Sequence, residues 1–169
     1  MTEIEYSQYI FQDKNIAIPL ELSFLKEILN EKLFDYYDKC IVQGLNLTQY
    51  AKCAGISYGK GRHRKIKCYN TIVSDERVAR RYFQLHNAFP RLKGKRRSTV
   101  TDLDFIFSER TVNALYIQLD IRSQEELHKK ILAGGVKKNA CRLMGNKTYE
   151  EILKWHRQYM EPGKQESYK

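Results

Sequence analysis

The residues best suited to chemistry in this sequence are basic, and they cluster along the chain. Residues 52–98 hold fourteen Lys or Arg and only two Asp or Glu, a net charge of +12, whereas residues 1–51 carry a net charge of −4. The net charge of the whole chain is +10, so one middle segment accounts for the excess. A localised basic segment attracts polyanions, and no amphipathic helix with an aromatic face accompanies it to favour a membrane. We therefore rank nucleic acid as the first candidate partner.

Groups that could catalyse a reaction or bind a metal are present but form no recognisable set. Asp102 and Asp104 could bind a metal ion, but their pattern favours a position flanking the N-terminus of a helix. Four histidines are too scattered to form a paired catalytic arrangement: His63, His86, His128 and His156. Four cysteines lack C-x-x-C spacing, and no recurrent zinc pattern connects them with a histidine: Cys40, Cys53, Cys68 and Cys141. We expect reduced thiols, no cofactor, no metal and no enzymatic activity.

Length and composition limit the architecture. The chain has 169 residues, of which 42% are hydrophobic, enough for one ordinary domain or two small ones with separate cores. It contains no apolar run of about 18 residues and no charged start followed by an apolar stretch. The expectation is a cytoplasmic protein without a membrane span or a secretory signal.

The first half of the chain reads as helical. Apolar residues recur at spacings of three and four from Leu22 to Tyr37, which predicts one helix or two in succession, starting near Pro19 and reaching about Gln43. A short helix over residues 48–54 and a tight turn at Gly55 and Ile56 follow. This layout resembles a helix-turn-helix, in which Ala51 would lie where the two helices cross.

The segment after the turn would then be the recognition helix. Its basic residues supply donors for phosphates and guanine edges, and we take four of them as candidate DNA contacts: Lys60, Arg62, Arg64 and Lys65. Gly59 and Gly61 each lower helix propensity by about 1 kcal/mol relative to Ala, so a basic loop and a plain interaction module remain alternatives.

A further helix is predicted from an N-cap at Ser74 to about Phe89, with Pro90 closing it. Residues 90–101 then read as a linker between domains, because the stretch RLKGKRRS has five basic residues and little to bury. Arg96 and Arg97 are its candidate phosphate contacts. The alternative is a tether that serves only solubility.

The last third contains a second set of candidate residues. Residues 108–119 predict a helix in which Arg110 and Asn113 share one face, with Ile117 among its residues available for burial. Gly145 can adopt a tight turn before a helix that ends near Tyr159. The N–H groups of three residues at the start of that helix would form a seat for phosphate: Asn146, Lys147 and Thr148. Glu151 would complete a capping box with Thr148.

From Asp102 to about Tyr159 the sequence resembles the C-terminal domain of the bacterial RNA polymerase alpha subunit. The segments that carry the resemblance are FSERTVNALYIQLDIRSQEELHKKIL and RLMGNKTYEEILKW. It implies a compact helix-hairpin-helix-like fold in which Arg110 enters the minor groove of A/T-rich DNA. Four other positions would hold the sugar-phosphate backbone: Asn113, Gly145, Lys147 and Thr148.

The sequence departs from that family at two places. Leu143 stands where the family usually has an Asn near the backbone. The acidic patch through which the family contacts other factors is only partly present, because Ile106 replaces an acid beside Asp102 and Asp104.

Together these patterns predict an all-α protein of two small helical domains. We divide it into a helix-turn-helix-like domain over residues 1–89, a linker over 90–101, a helix-hairpin-helix-like domain over 102–160 and a flexible tail over 161–169. The predicted function is a transcription regulator that binds double-stranded, A/T-rich DNA. The alternatives are an adaptor that docks on RNA polymerase or another protein, an enzyme acting on nucleic acid, and an RNA-binding protein. The sequence leaves open the target site, activation or repression, and the oligomeric state, a homodimer included. High Lys, Asn, Ile and Tyr usage suits an A/T-rich bacterial genome or a mobile element.

Overall fold

The computed structural model describes residues 6–11 and 16–161. They form two compact units, which we call unit 1, up to Ser98, and unit 2, from Thr99 on. Helices make up most of both units, which confirms the all-α prediction. No helix within these residues is both long enough and apolar enough to cross a membrane. From residue 162 on, the predicted tail lies outside the described residues.

Unit 1 opens with two antiparallel strands, β1 (Tyr6–Phe11) and β2 (Ile16–Glu21), which were not predicted. Pro19 lies within β2 opposite Gln8, so the prediction that it starts a helix is wrong. A proline is tolerated here because both strands of a two-stranded sheet are edge strands. Five helices follow: α1 (Leu22–Ile28), α2 (Glu31–Tyr36), α3 (Leu47–Ala54), α4 (Tyr58–Ser74) and α5 (Glu76–His86).

The apolar repeat over residues 22–37 forms two helices. Asn30 separates them, because its Oδ1 accepts a hydrogen bond from Leu33 N at 3.0 Å and so caps α2. A π-helical turn, Tyr37–Val42, continues α2 to the predicted end near Gln43. Leu25 of α1 and Leu33 of α2 are buried, so each helix packs against the core of unit 1 on that side.

The boundary between α4 and α5 lies one residue later than predicted. Asp75, rather than Ser74, caps α5 by accepting a hydrogen bond from Arg77 N at 2.9 Å. The helix ends at His86 because Asn87 adopts a left-handed conformation with φ of 54°, so it stops short of the predicted Phe89.

Unit 2 contains a short 3₁₀ turn, Asp102–Phe105, and three helices: α6 (Glu109–Asn113), α7 (Gln124–Leu132) and α8 (Asn146–Met160). A π-helical segment, Ala114–Gln118, continues α6. This segment shifts the helical register, so Tyr116 is buried while Ile117 is 42% exposed, contrary to the prediction that Ile117 is available for burial. The core has eleven buried residues: Leu103, Phe107, Val112, Ala114, Leu115, Ile121, Leu127, Val136, Met144, Ile152 and Trp155.

The predicted linker over residues 90–101 is not a solvated tether. Leu92 and Arg97, which belong to unit 1, are buried, and so are Val100 and Thr101, which belong to unit 2. The sequence suggested a tether because charged residues dominate the stretch. In the structure its apolar residues are buried and its backbone forms hydrogen bonds.

Candidate nucleic-acid interface

In unit 1, α3 and α4 are joined by the three residues 55–57, and each helix end is fixed by a local hydrogen bond. Asn46 Oδ1 accepts from Gln49 N at 2.8 Å and Gln49 Oε1 accepts from Asn46 N at 2.9 Å, a reciprocal cap at the start of α3. Gly55 ends α3 with φ of 64°, a conformation that favours glycine. Ser57 Oγ accepts from Lys60 N at 3.3 Å and so begins α4. The turn is therefore set by its own sequence.

Helices α3 and α4 approach each other closely at two small residues. A Cβ atom placed on Gly61 would lie 3.3 Å from Leu47 Cδ1 and 3.8 Å from Ala51 Cβ. Ala51 is buried at the crossing, as predicted. Gly61 suggested a break in the helix, but α4 runs through it without interruption, so the basic-loop alternative is wrong. The glycine is needed for the close packing of two helices.

The first half of α4 presents basic side chains to solvent. Its seventeen residues include no Asp or Glu. Four exposed cations on it form no ion pair with any of the described residues: Lys60, Arg62, Lys65 and Lys67. Four uncompensated cations within eight residues of one helix give a local positive field, which attracts a polyanion.

Arg64 was predicted as a further DNA contact, but the structure directs it inward. It is half-buried, and its Nη1 donates to Tyr50 Oη at 2.8 Å. Tyr50 Oη in turn lies 3.4 Å from Asp35 Oδ2, whose partner oxygen pairs with Lys39 at 2.9 Å. This chain of contacts links α4 to α2 and α3, so we assign Arg64 to the positioning of α4.

Three of the four thiols lie in unit 1, and they differ in burial. Cys68 is buried, and burial raises the pKa of its thiol to about 12, whereas Cys53 and His63 are exposed. Across the described ranges no three His, Cys, Asp or Glu side chains are placed to hold a metal ion. A zinc site at Cys53, His63 and Cys68 therefore has no geometric support.

In unit 2 the structure brings Arg110 to the start of α8. The Nη2 atom of Arg110 lies 4.0 Å from the position that a Cβ of Gly145 would occupy. Gly145 is the N-cap of α8, and the first backbone bond of that helix joins Tyr149 N to Gly145 O at 3.0 Å. The N–H groups of residues 146–148 thus have no acceptor within the helix.

The side chains around the start of α8 agree only in part with the predicted DNA contacts. Asn146 and Lys147 are exposed beside Arg110, and Asn113 is half-buried on α6. Thr148 is 3% exposed, so the prediction of a phosphate contact by its side chain is wrong. It lies on the stripe of α8 that faces the core, four residues before Ile152.

Glu151 fastens α8 to α6 and does not form the predicted capping box. Its carboxylate accepts hydrogen bonds from Ser108 N at 2.7 Å, from Ser108 Oγ at 2.9 Å and from Thr111 Oγ1. A carboxylate at the start of a helix satisfies free N–H groups and is favoured by the helix dipole. This contact fixes the helix that bears Arg110, and the sequence signal for it, Ser108 at a helix start, does not reveal a partner 43 residues away.

The two arginines predicted as phosphate contacts in the linker differ in their exposure to solvent. Arg96 is exposed, whereas Arg97 is 3% exposed. The predicted phosphate contact by Arg97 is therefore wrong, because a buried guanidinium cannot reach a phosphate.

Comparison of the chain with protein-family models, with curated proteins and with solved structures found no match. The resemblance of residues 102–159 to the C-terminal domain of the RNA polymerase alpha subunit stays a prediction.

Proposed function

We propose that the protein is a transcription regulator that binds double-stranded DNA through both units. The observation that carries the proposal is the acid-free helix α4, whose four exposed cations form no ion pair with the described residues. Phosphates supply most of the attraction between proteins and DNA, and exposed, unpaired cations such as these can neutralise them.

In unit 1 the proposed contact is α4 in the major groove. The groove is about 12 Å wide and admits an α-helix, and the N-terminal residues of a recognition helix contact the base edges. Arg62 can form paired hydrogen bonds with guanine. Lys65, three residues on, shares a side of the helix with Arg62, and Lys60 lies on another side; both lysines are assigned to phosphates. The short turn before α4 supports this role, because it leaves the start of the helix exposed.

In unit 2 the proposed contact is Arg110 in a narrow minor groove. A guanidinium there responds to groove width more than to base identity, which favours A/T-rich tracts. The free N–H groups at the start of α8, with Asn146 and Lys147, are suited to the adjacent phosphates. Unit 2 would then contribute preference and unit 1 much of the affinity.

The test is fluorescence anisotropy with an A-tract duplex and a mixed-sequence duplex over a salt series. Each phosphate contact contributes about 0.9 to the slope of log K against log salt. Replacing Lys60 and Arg62 with Gln should lower that slope by about 1 on both duplexes, because Lys60 is the phosphate contact of the pair and Arg62 is assigned to guanine. The matched control replaces Lys26 and Lys32, which lie on α1 and α2, and should leave the slope unchanged.

Arg110→Ala separates DNA binding by unit 2 from protein docking. It should reduce the preference for the A-tract, with a smaller effect on the mixed duplex. If the wild type has no salt-dependent affinity for either duplex, the DNA proposal fails. If only Arg110→Ala is silent, unit 2 is better explained as an adaptor for RNA polymerase or another protein.

A further inference from the structure

Residues 91–98, which look like a tether in sequence, are fastened to the middle of α4. Asn70 Nδ2 donates to Lys93 O at 2.8 Å, and Lys93 N donates to Asn70 Oδ1 at 2.9 Å. Tyr69 Oη donates to Arg91 O at 2.8 Å. Asn70 is 7% exposed, so its paired hydrogen bonds are shielded from water. The segment is a defined loop, closed by Leu92 N donating to Ser98 O at 2.9 Å.

The loop lies on the face of α4 that bears Arg62, one of its exposed cations. A Cβ on Gly94 would lie 3.6 Å from Ile66 Cγ2, and Lys93 Nζ lies 4.4 Å from the ring centre of Tyr69. Arg62, Ile66 and Asn70 are spaced by four residues and so share one face of the helix. The loop therefore extends the same surface beyond Arg62.

The spacing between the loop and the first half of α4 matches the dimensions of DNA. Eight residues separate Arg62 from Asn70, about 12 Å along the axis at 1.5 Å per residue. The major groove is about 12 Å wide, so the loop reaches its edge when α4 is tilted across the groove. With Arg62 at the base edges, the loop would lie near the sugar-phosphate backbone at the edge of the groove.

We propose that residues 91–96 form a loop that contacts the DNA backbone beside α4, and that Asn70 is the residue that positions it. Three basic side chains of the loop are exposed: Arg91, Lys95 and Arg96. The inference rests on the proposed function of unit 1. A loop that is already ordered loses less conformational entropy on binding than a tether would.

The fastening of the loop is tested without DNA by limited trypsin digestion. Cleavage after Lys93, Lys95 and Arg96 should be slow in the wild type and faster in Asn70→Ala. Thr71→Ala is the matched control, because Thr71 is the next residue and only bonds Lys67 O within α4. If Asn70→Ala lowers the helical circular dichroism signal, Tyr69→Phe is used in its place, because it removes the hydrogen bond from Tyr69 Oη to Arg91 O. Unchanged cleavage in the folded variants would overturn the positioning role.

The backbone contact is tested by the salt dependence of binding. Replacing Lys95 and Arg96 with Gln should lower the slope by about 2 and weaken binding to both duplexes about equally. Asn70→Ala should weaken binding to both duplexes although every charge remains. A normal slope for the Lys95 and Arg96 variant, together with a reduced slope for the Lys60 and Arg62 variant, would overturn this inference and leave the proposed function intact. If the wild type shows no salt-dependent affinity for DNA, both this inference and the proposed function fail.

Discussion

The two units hold their exposed cations in different ways. In unit 1 the cations lie along α4, which is positioned by the close crossing of Gly61 with α3 and by the contact between Arg64 and Tyr50. In unit 2 the arginine proposed for the minor groove, Arg110, lies on the short helix α6, whose start is fixed by the carboxylate of Glu151. A row of charges tolerates small shifts of its helix, whereas one guanidinium that fits a groove needs its own support.

The difference extends to the chemistry that each unit offers a polyanion. Unit 1 offers mobile side-chain charges, whose attraction is long-ranged and screened by salt. Unit 2 offers backbone N–H groups at the start of α8, which are fixed in direction and act only at contact. Overpacking at the Gly61 crossing should therefore lower the stability of unit 1, and loss of one positioning hydrogen bond should affect the proposed DNA contact of unit 2.

The largest effect is expected from Gly61→Leu. The side chain would meet Leu47 and Ala51 where even a Cβ is tightly placed, and overpacking costs roughly 1–3 kcal/mol. Urea unfolding followed by circular dichroism at about 222 nm, the usual helix band, should show unit 1 losing stability. The only tryptophan of the chain, Trp155, lies in unit 2, so its fluorescence transition should not move.

Gly59→Ala is the control on the same helix. A Cβ there lies 4.0 Å from Ser57 Oγ, so it has room, and alanine should stabilise α4 by up to about 1 kcal/mol. Equal destabilisation by both changes would show that packing at Gly61 does not set the crossing.

A smaller effect is expected from Glu151→Gln. The change replaces charged hydrogen bonds to Ser108 and Thr111 by neutral ones, which should cost about 1–2 kcal/mol in unit 2. Urea unfolding followed by Trp155 fluorescence measures it. Glu150→Gln is the matched control, because Glu150 is exposed on the same helix and should have almost no effect.

The same variant also tests whether Glu151 positions the proposed DNA contact of unit 2. Because Glu151 fixes the start of α6, Glu151→Gln should also reduce the preference for an A-tract, as Arg110→Ala does. A stability loss without any change in DNA preference would show that Arg110 does not depend on this contact.

The sequence predicted local features well and long-range contacts poorly. The short helix α3, its end at Gly55 and the buried Ala51 follow from spacing and glycine chemistry within ten residues. The two glycines of α4 could not be interpreted in this way, because Gly61 serves a contact with another helix. The π-helical segment that exposes Ile117 has no signature in residue spacing.

The candidate site shows the same limit. Exposed cations such as Lys60 and Arg62 could be chosen from their types and neighbours. Thr148 and Arg97 were chosen by type too, yet packing buries both. The contacts that position the site, Glu151 with Ser108 and Asn70 with Lys93, join residues 43 and 23 positions apart. Such pairs depend on the tertiary fold, which no local pattern encodes.

The smallest effect is expected from pH, and it should again distinguish the units. In unit 2, His128 Nδ1 and His156 Nε2 lie 3.0 Å apart, and the rings of His128 and Tyr159 lie 4.9 Å apart. One imidazole must donate and the other accept, so the pair disfavours two protonated rings. Burial, and then the nearby charge of His128, lower the pKa of His156.

A lowered pKa means that the unfolded chain binds this proton more readily than the folded one. The free energy of unfolding of unit 2 should therefore fall as the pH drops below about 6.5, the ordinary histidine pKa, and level off below the folded pKa. Urea midpoints from Trp155 fluorescence between about pH 7.5 and 5.5 avoid the titration of ordinary carboxylates. His156→Gln should flatten the dependence, whereas His63→Gln, on the exposed face of α4 in unit 1, should leave it in place. An equal slope in wild type and His156→Gln would assign the pH response to other groups and remove this distinction between the two units.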